Sequence, residues 1–67
     1  MQPQSTSSHV DRFERLPTVM ARTGMGRSWL YREIAGQRFP KPYKIGGASC
    51  WRSREIDAWI EQQVARA

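Results

Sequence analysis

The sequence predicts a mainly helical domain with one small β-hairpin, in the order helix, turn, helix, hairpin, helix. Three observations predict it. Apolar residues recur at helical spacing in three separate runs: Leu16, Val19 and Met20; Leu30 and Ile34; Ile56, Trp59, Ile60 and Val64. A short glycine-bracketed turn, Gly24-Met25-Gly26, separates the first two runs. Two β-prone runs, Tyr43-Lys44-Ile45 and Ser49-Cys50-Trp51, flank Gly46-Gly47-Ala48.

Each element has a local reason. Residues 1–10 are polar and aperiodic, so 1–12 are expected to form a disordered tail ahead of one domain over 13–67. Phe13 is expected to dock on that domain. The first helix is predicted from Pro17 to about Arg22, because proline suits the first helical position, where its missing N–H has no partner to lose. Gly24 ends it in the left-handed conformation, Met25 is expected to plug between the helices, and Gly26 caps the next one. The second helix is predicted over Arg27–Ala35, with Gly36 as its stop. Phe39-Pro40-Lys41-Pro42-Tyr43 is a stiff connector, since each proline forces the residue before it into extended geometry. The third helix is predicted from Ser53, as N-cap, with Glu55 complementing the dipole in its first turn. The expected core is Leu16, Val19, Met20, Met25, Leu30, Ile34, Phe39, Ile45, Trp51, Ile56, Trp59, Ile60 and Val64. The whole is a winged helix-turn-helix: helix-turn-helix, two-stranded wing, C-terminal helix.

Charge is unevenly placed. The chain is +5 overall, but residues 22–54 hold Arg22, Arg27, Arg32, Arg38, Lys41, Lys44, Arg52 and Arg54 against Glu33 alone, a local net of +7. The remaining residues carry net −2. A concentrated basic stretch is the footprint of a phosphate-backbone binder. Catalysis is disfavoured: His9, the one histidine, lies in the expected tail, and Cys50 has no histidine near it in sequence. A zinc site needs about four Cys or His ligands, which this chain lacks, and no cofactor motif is present. The single cysteine and the absence of a secretory signal predict a reducing, cytoplasmic setting. No apolar run approaches the roughly 20 residues that span a bilayer.

A second helix of this kind enters the major groove of duplex DNA, its N-terminal residues nearest the bases. On a helical wheel Leu30 and Ile34 point inward, and the groove-facing set is Arg27, Ser28, Trp29, Tyr31 and Arg32. Arginine can donate two hydrogen bonds to one guanine edge. Trp29 has two readings, a DNA contact or packing on the core flank. Arg38 and Lys41 are placed to grip phosphates, and Lys44 with the backbone of Gly46 and Gly47 to approach the minor groove.

These residues carry a resemblance. Arg15-Leu16-Pro17, Arg22-Thr23-Gly24-Met25, Arg27-Ser28-Trp29-Leu30-Tyr31-Arg32, Phe39-Pro40-Lys41-Pro42, Lys44-Ile45-Gly46, Trp51 and Glu55-Ile56-Asp57-Ala58-Trp59-Ile60 resemble, in register over about residues 15–64, the AlpA family of prophage regulators. That family is similar to phage excisionases and, more distantly, to MerR-type DNA-binding domains. Gly26 and Trp29 depart from it, standing where members usually carry Ser or Thr. The resemblance implies a winged helix-turn-helix that regulates transcription of prophage or integrative-element genes, or directs recombination as an excisionase in contact with an integrase. The rival reading is a small protein-binding modulator that contacts an integrase or a response regulator through the acidic face of its third helix. RNA binding is disfavoured, because the aromatics form no platform on strands. With no heptads extending the third helix, a monomer that binds DNA, cooperatively at adjacent sites, is expected.

Overall fold

The computed structural model describes residues 11–67. The expected tail therefore lies outside the described residues over 1–10, whereas Asp11 and Arg12 belong to the fold. The first element is a strand that the sequence reading did not contain: β1, Phe13–Arg15, is followed directly by helix α1, Leu16–Thr23. Pro17 sits at the first turn of α1, and Gly24 closes it with φ 74°, its N–H donating to Met20 O at 2.8 Å. Helix α2 spans Arg27–Ala35, with Gly26 as its extended N-cap. Strands β2, Tyr43–Ile45, and β3, Ala48–Arg52, form the hairpin, and helix α3 runs Ser53–Arg66.

The sheet is antiparallel with β3 central, in the order β1-β3-β2. Its register pairs Glu14 with Trp51, Arg15 with Cys50, and Tyr43 with Cys50. Alternation along the strands then gives two faces. One carries Glu14, Trp51, Lys44 and Ser49 and packs on the helices, with Trp51 fully buried. The other carries Phe13, Arg15, Cys50, Arg52, Tyr43 and Ile45. On it the rings of Phe13 and Tyr43 meet edge to face at 6.2 Å, so two aromatics do stand together on strands. The hairpin turn is only Gly46-Gly47, with φ 57° and 83°, and Ala48 belongs to the strand. Positive φ at both central residues is what a tight two-residue turn needs to match strand twist.

The core is Val19, Leu30, Phe39, Trp51 and Ile56, with Leu16, Met20, Trp29, Ile34, Trp59 and Ile60 packed around it. Three expected members are outside it. Ile45 lies on the outer sheet face, Val64 is exposed near the C-terminal end of α3, and Met25 stands at the surface of the turn instead of plugging it. Cys50 and Glu14 are buried instead. Glu14 is neutralised by Arg22 of α1, whose Nη1 donates to both its carboxylate oxygens at 2.7 Å, while Nη2 bonds Asp57 of α3. One guanidinium thus joins β1, α1 and α3.

The cap of α3 also differs from expectation. Ser53 is the first helical residue, not the cap, and the capping position is Arg52. The cap is supplied from outside the helix: Asp11 Oδ1 accepts the Arg54 N–H at 3.2 Å, and Asp11 Oδ2 accepts from Arg52 Nε at 2.8 Å. Ser53 N–H donates to Arg12 O, and Arg12 N–H to Ser53 Oγ. The Arg52 guanidinium, through its hydrogen bond first and the Arg54 N–H second, holds the Asp11 carboxyl below the usual range.

Candidate nucleic-acid interface

The exposed stripe of α2 is Arg27, Ser28, Tyr31, Arg32 and Ala35. It results from simple periodicity. Leu30 is fully buried and Ile34 half-buried on the opposite side, which fixes the helix rotation. Four of the five predicted α2 candidates lie on this stripe. Trp29 does not: it is half-buried on the flank, its ring edge to face with Trp59 of α3 at 6.1 Å. The core-flank placement is the one the geometry carries. Ala35 extends the stripe, and continued helical spacing from Ser28 and Tyr31 was signal enough to include it.

The charges of the basic stretch divide into two groups. Arg22 is spent on Glu14 and Asp57, Arg38 on Glu33, and Arg52 on Asp11. Arg27, Arg32, Lys41, Lys44 and Arg54 have no carboxylate within ion-pair distance among the described residues. The sequence alone cannot separate these groups, because the acids that neutralise Arg22 and Arg52 are supplied from elsewhere in the chain. The unpaired cations sit on the exposed end and face of α2, on the connector, on the hairpin and at the start of α3.

The connector is held by the two buried or half-buried indoles. Trp51 Nε1 donates to Pro40 O at 2.9 Å, and Trp59 Nε1 donates to Arg38 O at 2.9 Å. Lys41 is thereby carried on a fixed backbone with its side chain exposed. Lys44 lies on the helix-facing side of the sheet, its Nζ donating to Ser49 Oγ at 3.1 Å. Gly46 and Gly47 form an open tip; a Cβ on either meets nothing within 4 Å, so it is φ, not space, that requires glycine there. On the other side of the wing, Tyr43 donates to Glu55 at 2.8 Å, which holds its phenol above the ordinary range.

His9 lies outside the described residues. Cys50 is a buried free thiol. Among the described residues no cluster of His, Cys, Asp or Glu is placed to hold a metal, and no helix is long and apolar enough to cross a membrane.

A short helix presented across a glycine turn, a two-stranded wing and a helix behind them define a winged helix-turn-helix domain. The family model described as prophage CP4-57 regulatory protein (AlpA) matches residues 12–64. The chain belongs to this AlpA family of prophage regulatory proteins. It is similar to an uncharacterised protein, ORF88, of Enterobacteria phage P4, at 36% identity over 56 residues. That match covers 82% of this chain and 64% of the relative's length. No solved structure matches the chain.

Proposed function

We propose that the chain binds duplex DNA sequence-specifically, with Arg27, Ser28, Tyr31 and Arg32 in the major groove. Arg38 and Lys41 contact phosphates, and Lys44, Gly46 and Gly47 approach the adjacent minor groove. One observation carries this reading: α2 exposes two arginines without carboxylate partners on the face opposite its buried Leu30, while other cations of the basic stretch are neutralised internally. The biological setting is control of a prophage or integrative element, as transcriptional regulator or as excisionase alongside a phage-type integrase. The protein acts as a cytoplasmic, nucleoid-associated monomer that binds adjacent sites cooperatively.

Genome-wide footprinting in the native host tests this. Discrete peaks are expected with the wild-type chain and are lost with Arg32→Ala. Peaks at an attachment site indicate excision control, and peaks at a promoter alone indicate transcription. A uniform, sequence-independent footprint would contradict the base-reading role of α2.

A second reading, contact with a protein partner, is favoured by a shallow groove of about 300 Å³ between the turn and α3. Met25, Trp29, Ile60 and Val64 line it, with Val64 65% exposed. Exposed apolar surface gathered in one place marks contact sites more often than scattered residues do. Pull-down of a purified phage-type integrase after nuclease treatment tests it; no retention would count against this reading.

A further inference from the structure

We propose that Glu33 and Gly36 are positioning residues, which hold Arg38 ready as a phosphate ligand at the end of α2. This rests on the duplex-DNA reading above. Glu33 Oε1 accepts from Arg38 Nε at 2.8 Å and Oε2 from Nη2 at 3.3 Å, a side-on bidentate pair. Arg38 Nη1 has no acceptor among the described residues, and the side chain is 60% exposed. The guanidinium is therefore held on one edge and open on another.

The backbone beneath it is fixed as well. Arg38 N–H donates to Glu33 O at 2.8 Å and Gln37 N–H to Ile34 O at 3.0 Å, the paired bonds that close a helix end. The Arg38 carbonyl takes the Trp59 indole N–H. In such an ending glycine normally occupies the left-handed position. Here that position is Gln37, with φ 61°, while Gly36 has an ordinary φ of −86°. Space explains the glycine. A Cβ on Gly36 meets Arg38 Nη1 at 2.4 Å and Cζ at 2.5 Å. The guanidinium lies over a residue that has no side chain, and the left-handed angle of the helix ending falls on Gln37.

Simple electrostatics makes the opposite prediction. A carboxylate beside a phosphate contact repels the phosphate, so removing the Glu33 charge should tighten binding. Positioning predicts weaker binding, because a free arginine must give up its rotamer freedom when DNA arrives.

The test measures binding of the full chain to a mixed-sequence duplex oligonucleotide across a salt series, with melting curves on every variant. Glu33→Gln is expected to bind about two- to tenfold more weakly than wild type. Its log–log salt slope should stay near the wild-type value, because the ordered arginine still meets its phosphate, whereas Arg38→Ala should lower the slope by about one. In an Arg38→Ala background the same change should weaken nothing further. Gly36→Ala should weaken binding while its melting temperature holds or rises, since alanine fits that backbone angle. Equal or tighter binding by Glu33→Gln, or the same loss with Arg38 absent, overturns the positioning role and leaves the DNA reading standing. A wild-type chain that fails to bind duplex overturns both.

Discussion

Replacing Arg22 by methionine removes both hydrogen bonds that the buried carboxylate of Glu14 accepts from a guanidinium and leaves it only the exposed Arg12, at 3.8 Å. The Glu14 side chain is 2% exposed, and Arg22 Nη1 sits 2.7 Å from it. Asp57, the other partner, is 43% exposed and can turn to water, so the loss falls on Glu14. Leaving a buried charge unpaired costs about 3–5 kcal/mol. At about 0.05–0.15 kcal/mol per residue, the described residues 11–67 hold only about 3–9 kcal/mol of total stability. Arg22→Met should therefore unfold much of the population at 25 °C, seen by urea titration with tryptophan fluorescence and circular dichroism. The double variant Glu14→Leu/Arg22→Met should recover most of the loss, because a buried ion pair replaced by apolar groups is often neutral. A single variant that loses less than about 1 kcal/mol, or a double variant no more stable than the single, would refute the view that Arg22 is there to neutralise Glu14.

Arg32→Ala should cost about 1–3 kcal/mol on the preferred site and flatten the difference between sequences, whereas Lys41→Ala should weaken all duplexes alike and lower the salt slope by about one; competition binding with matched and scrambled duplexes separates them. Asp11 has a depressed folded pKa, so its contribution is present above the ordinary carboxylate range and is lost as pH falls through and below about 4. The melting temperature of wild type should exceed that of Asp11→Asn at pH 7, and the gap should close on acidification; a pH-independent gap would remove Asp11 from the acid response. Gln37→Gly should stabilise the fold by about 1 kcal/mol by relieving the left-handed angle, read by urea midpoint.

What was legible in the sequence was what local chemistry decides. The limits of α2, Arg27 to Ala35, follow from a glycine before, a glycine after and one apolar stripe, and they agree with the structure. The hairpin follows from two glycines between β-prone runs. What escaped depends on partners far along the chain. The strand Phe13–Arg15 has no alternation long enough to show, and becomes a strand only because β3 offers it an edge. Asp11 caps a helix 43 positions away, and Glu14 is buried only because Arg22 and Trp51 surround it. The same limit applied at the interface. The wheel placed Trp29 outward, but the indole of Trp59, contributed by the last helix, draws it to the flank.

The placement of β1 has a consequence for synthesis. The helices α1 and α2, eight and nine residues long, are marginal in water when first made, because the core that holds Val19 and Leu30 includes Trp51 and Ile56. The residues just ahead of them cannot settle then, because β1 pairs only with β3 and Asp11 bonds the Arg54 N–H. At about 5–20 residues per second, the 43 positions between Asp11 and Arg54 take about 2–9 s to translate. During that interval Glu14 has Arg22 available but no sheet, and Phe13 has no ring to meet. The growing chain thus carries α2 without the partners that bury Leu30 and flank Trp29 until its last third has been made.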